Sequence, residues 1–184
     1  MKKTLLLCSL SLALSSASQL SFALTPPLSI YTSPTNNQAL VDDWVNYKLA
    51  EKQFDDSNHD AQQRLQNTIF DMKDDKVLKQ YITTESKKSA QAYTHLLSML
   101  KPQTTEIKKL IELKQQLIRD SLDLMVNEML SEERLEDDKQ QRHELKFKQV
   151  IELTTQVQEF EYDLEYQVLK ILKQQQSATS PLKP

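Results

Sequence analysis

Few residues in this 184-residue chain have types and spacing that could do chemistry. Asp56-Ser57-Asn58-His59-Asp60 imitates the opening of a calcium-binding loop, in which oxygen ligands alternate along the chain. Such a loop requires Gly at its sixth position and a bidentate Glu at its twelfth, where Ala61 and Asn67 stand. Asp56 and His59 could share a helix face as a carboxylate–imidazole metal pair, yet a site needs three or four ligands. His95 and His143 are far away in sequence, and no H-x-x-x-H or H-E-x-x-H spacing occurs. An acid-rich helix start, favoured by the positive end of the helix dipole, accounts for the segment more simply. The sequence assigns no metal ligand, no cofactor and no catalytic residue.

Two weaker constellations remain. Tyr93, His95, Lys114 and Glu128 lie on or beside apolar faces and could converge in a polar pocket between helices spanning 77–100 and 104–130. Lys114, Ser121 and Glu128, seven residues apart, fall in a valley between two apolar strips of the second of these helices. Tyr162 and Tyr166, four apart among carboxylates, could form a recognition patch for a basic or apolar partner. The only arginines are Arg64, Arg119, Arg134 and Arg142, too scattered for an enzyme site on an anionic substrate.

The elements that must position these residues are constrained by one absence: the chain contains no glycine. An average chain of this size would hold roughly 13. Phosphate-binding loops, dinucleotide fingerprints and nucleophile elbows all require residues without a Cβ and are excluded. Tight hairpins lose their preferred turn residue as well, which disfavours antiparallel β structure. The expected fold is all-α, an antiparallel bundle of four to five helices with a long, heptad-patterned C-terminal helix.

At the start of the chain, Lys2 and Lys3 precede an apolar run of eleven residues, and Ser21-Phe22-Ala23 offers a signal-peptidase site. Residues 1–23 read as a cleaved secretory signal, too short to span a bilayer. Its removal takes away Cys8, the single cysteine, so the mature chain has no thiol chemistry. It also leaves 21 basic against 26 acidic residues. That acidic excess argues against nucleic acid and anionic membranes as partners. No membrane insertion is expected after cleavage, and the protein is expected to be periplasmic or secreted.

Residues 24–37 carry three of the six prolines and read as an extended leader, while 174–184 read as a disordered tail. A single helical domain is expected over 38–173. Within it, one helix is expected to end near Phe54, with Asp55-Asp56-Ser57-Asn58 as a stop and restart. Lys101-Pro102 is the firmest boundary. Residues 131–144, with one apolar residue, Leu135, read as a charged hinge or a solvated projection.

The strongest periodicity lies near the C-terminus. Val150, Leu153, Val157, Phe160, Leu164, Gln167 and Ile171 alternate in steps of three and four. This seam serves either the chain's own bundle or, through Val150, Leu153, Val157, Phe160, Leu164 and Ile171, a homo-oligomer. The functional expectation is an exported, non-catalytic protein that works by contact with another protein, as an adaptor, envelope-stress accessory or holdase. The alternative is a small-ligand-binding protein or helical enzyme with its site between helices 77–100 and 104–130.

Overall fold

A computed structural model describes the backbone over residues 34–130 and 137–179 and the side chains over 37–69, 71–127 and 141–177. The expected signal, Cys8, most of the expected leader and residues 131–136 lie outside the described residues. Four helices are present, α1 (Pro34–Asp71), α2 (Asp75–Met99), α3 (Thr105–Leu130) and α4 (Asp137–Thr179), with no strand among the described residues. They form an all-α bundle. Each helix packs on its neighbours in the order α1, α2, α3, α4 and back to α1, and α1 also touches α3 across the centre. At 1.5 Å per residue, α1 and α4 run to roughly 57 and 65 Å, and α2 and α3 to roughly 38 Å each.

Several boundaries differ from expectation. Residues 55–58 do not break the first helix, which continues to Asp71. Asp, Ser and Asn each cost only about 0.7 kcal/mol at most inside a helix. The burial of Phe54 on one side of the segment and Leu65 on the other holds both halves to the bundle. Ser57 also donates to the Phe54 carbonyl at 2.9 Å, and Lys52 pairs with Asp56 at 2.8 Å. The calcium-like motif is therefore helix rather than loop.

The true break falls at 72–74, where Asp74 caps α2 by accepting from the Lys76 and Val77 amides at 2.8 and 3.0 Å. This gives four helices, the lower of the two expected numbers. At the N-terminus α1 takes in residues 34–37 of the expected leader. Pro34 is its first residue, where a missing amide costs nothing and the fixed φ suits a helix. At the other end α4 runs to Thr179, into the expected tail, and its start at Asp137 takes in part of the charged segment.

The main core joins all four helices through residues such as Leu40, Trp44, Leu97, Ile107, Leu110, Leu117, Val157 and Leu164. A smaller cluster of Leu65, Leu78 and Ile82, with Met125 packed against it, closes the other end. The C-terminal seam is used inside the chain: Leu153, Val157, Leu164 and Ile171 are buried, and Val150 and Phe160 pack against the same core. Gln167 does not hold the expected seam position, because Val168 takes it. A straight helix turns every 3.6 residues, so a strict 3.5-residue seam drifts by about 20° per heptad, roughly half a position by Gln167, which favours the next residue.

Candidate functional site

A polar layer lies within the core, and every helix contributes to it. On α1, Leu40, Trp44, Tyr47, Glu51 and Phe54 form a row in steps of four and three. On α4, Val157, Glu161, Leu164, Val168 and Ile171 do the same. Each row thus carries one carboxylate toward the bundle axis. Between them comes Lys114 of α3, whose ammonium lies 3.2 Å from Glu51 and 3.0 Å from Glu161. Its side chain is only 7% exposed. Lys48 closes the layer from the solvent side, 2.8 Å from Glu51 and 3.3 Å from Glu161. Two carboxylates and two ammonium groups leave the layer electrically neutral.

Two phenols complete it. The Tyr47 hydroxyl lies between the carboxylates, 2.7 Å from Glu51 Oε1 and 2.8 Å from Glu161 Oε1, and shares its one proton between them. Tyr93 of α2 donates to Glu51 at 3.0 Å and stacks on Phe54 with ring centroids 4.5 Å apart. Burial pushes the Glu51 carboxyl up, but Lys114, Lys48 and the bonds from Lys48 and Tyr47 outweigh it and hold it at about 2. Burial and the adjacent carboxylates push both phenols above the usual tyrosine range. Burial disfavours the Lys48 ammonium, but Glu51 and Glu161 more than compensate, so its affinity for the proton rises.

Of the four residues expected to converge in a pocket, the structure brings together Tyr93 and Lys114. His95 does not join them. It is exposed, because α2 turns its Tyr93 and Leu97 inward and leaves the residue between them on the outer surface. The Glu128 side chain lies outside the described residues. Glu51, Glu161 and Tyr47 complete the layer although sequence reasoning did not select them. No family model matches the chain, and no curated protein or solved structure is significantly similar to it.

Chemically the layer is closed: each carboxylate is already engaged by both lysines and by Tyr47. Among the described residues there is no group of three His, Cys, Asp or Glu placed to hold a metal ion. No helix of the described residues is long and apolar enough to cross a membrane.

The other candidate is on the outside. Tyr162 and Tyr166 are both about half exposed, as are Leu169 on the same helix and Val45 and Leu49 on α1. Gln38 and Lys48 mark the side of α1 that meets α4, since they bond Gln175 and Glu161. Val45 follows Gln38 by seven residues, which returns it to nearly the same angle around the helix. The register set by those two contacts puts Val45 level with Tyr166 and Leu49 level with Tyr162. The five side chains therefore form two exposed rows at matching heights on the adjacent helices α1 and α4.

Proposed function

We propose that this is an exported protein that works by binding another protein through the outer α1/α4 face, and that it carries out no catalysis. The observation that carries the reading is the pair of rows, Val45 and Leu49 on α1 and Tyr162, Tyr166 and Leu169 on α4, left exposed on adjacent helices. Clustered exposed apolar residues on a soluble body are a recurring mark of interaction sites. Export rests on the basic and apolar residues of the first 23 positions. A ligand site between α2 and α3 has less support, because Tyr93 and Lys114 are committed to Glu51.

The test is site-specific photocrosslinking in the cells that produce the protein, with the probe at Tyr166 and, as control, at Val77. Val77 is comparably exposed but lies on α2. The expected result is a discrete adduct in the envelope or secreted fraction from position 166 alone. Equal labelling from both positions, or none from either, would overturn the reading.

A further inference from the structure

We infer that the outer α1/α4 face takes one basic amphipathic helix of a partner protein; the inference rests on the contact reading above. The shape of the face sets the first constraint. Val45 and Leu49 form one edge, and Tyr162, Tyr166 and Leu169 the other, with the line between α1 and α4 running along the middle. Two packed helices lie about 8–10 Å apart, so a furrow between them matches a single further helix about 10–12 Å across. The apolar row continues along α4 through Ile151 and Phe147, both half exposed. From Phe147 to Leu169 the row is roughly 33 Å long, enough for about six helical turns.

Charge sets the second constraint. Asp42, Glu152, Glu159, Asp163 and Glu165 flank the rows, against Lys148 at one end and Lys170 and Lys173 at the other. Lys48 and Lys52 are occupied, the first by Glu51 and Glu161 and the second by Asp56. The rim is therefore net acidic, which favours a partner carrying Lys or Arg beside its apolar stripe. The same rim disfavours a second copy of this chain. In an antiparallel pairing centred on the row, Glu159 would face its own counterpart, and the whole chain already carries a net charge of −3. Apolar side chains would supply contact area, and the flanking bases would supply orientation and speed of encounter.

The test uses the full chain without residues 1–23 and a fluorescein-labelled Leu/Lys peptide of about 18 residues, with leucines at helical a/d spacing. A second peptide replaces every Lys by Glu. The expected result is binding of the basic peptide alone, weakened as salt is raised from about 50 to 300 mM. Tyr166→Ser and Leu169→Ser are each expected to weaken it about tenfold, and Glu165→Lys to do so without removing any apolar contact. Met99→Ser, an exposed apolar change on α2, should leave it unaltered, and circular dichroism verifies that each variant stays folded. Equal binding of both peptides, no binding of either, or equal loss with Met99→Ser would overturn the inference. A dimer in light scattering that Tyr166→Ser dissolves would overturn it in favour of a second copy. An adduct from position 166 with a partner lacking a basic helix would also overturn it, while leaving the contact reading standing.

Discussion

The Lys114 ammonium meets the Glu161 carboxylate at 3.0 Å in the middle of the bundle, with both side chains largely shielded from water. Removing two such charges from water costs several kcal/mol for each ion, and mutual attraction repays this only when the remaining bonding positions are filled. Here they are filled from every helix: Glu51, Tyr47 and Lys48 from α1, Tyr93 from α2, Lys114 from α3 and Glu161 from α4. A slip of α1, α3 or α4 by one turn would leave a buried charge unpaired, and a slip of α2 would take the Tyr93 hydroxyl away from Glu51. The layer thus fixes the relative heights of the four helices in a chain whose apolar rows alone would tolerate several registers.

Lys114→Met should destabilise the protein by about 3–5 kcal/mol, because it leaves two inward carboxylates with one exposed lysine between them. Combining it with Glu161→Leu should cost less than the sum of the separate losses, since the two changes remove one shared interaction. Urea denaturation of the two single variants and the double variant checks this. Additive losses would mean that the pair does not act as a unit.

Acid should act through Glu51. Its carboxyl lies at about 2 in the folded protein against an ordinary value of 4.5. A depressed value gives stability that is fully present above pH 4.5 and drawn down as pH falls from there toward 2. The loss should reach roughly 3 kcal/mol. Denaturation midpoints measured from pH 6 to 2 should follow that fall, and the Glu51→Gln variant, less stable at neutral pH, should show a shallower one.

Alkali should act through the two inward phenols. Tyr47 and Tyr93 are pushed above the ordinary value of 10.0, so their contribution is intact below that pH and lost as pH climbs past it. Tyrosinate absorbance from Tyr47 and Tyr93 should appear only as helicity is lost. Tyr47→Phe should make that late rise smaller. Ionisation of Tyr47 and Tyr93 while helicity persists would contradict the burial of the pair.

Asp43 fixes the other critical joint. Its buried carboxylate accepts from the Gln103 amide at 2.8 Å and from the Thr104 amide and hydroxyl at 2.7 Å each, tying the α2–α3 connection to α1. Asp43→Ala should cost about 1–3 kcal/mol, because the buried Thr104 amide and hydroxyl lose their acceptor. Amide hydrogen exchange at Gln103 and Thr104 should accelerate well before that of the α3 interior.

The helical class and the Lys101-Pro102 boundary were legible in the sequence because proline and the absence of glycine act locally. So was the valley holding Lys114, since its apolar flanks on α3 fix its angle whatever the rest of the chain does. Glu51 and Glu161 were not. An acidic residue in an amphipathic helix is ordinarily solvated, and only the rows running through each of them, 4-3-4-3 in spacing, place them inward. That signal has meaning only once a lysine on another helix is known to stand at the same height, which is tertiary information. Residues 55–58 misled for the converse reason: their cap-forming side chains describe a preference of less than about 1 kcal/mol each, which packing on either side overrides.

The continuity of α1 through that segment is open to a direct test. Asn58→Pro removes an amide from the interior of a helix and sets its ring against the preceding turn, a cost of about 3 kcal/mol or more. If 55–58 were a stop followed by a new helix, the same proline would fall near a helix start and cost little. Asp75→Pro supplies the matched control, because Asp75 is the first residue of α2 and Asp74 before it is already extended at φ −83° and ψ 115°. Thermal melts should show Asn58→Pro lowering the midpoint by many degrees while Asp75→Pro stays near the parent. Similar midpoints for both variants would mean that α1 is two helices joined at 55–58 and that Phe54 and Leu65 belong to separately packed segments.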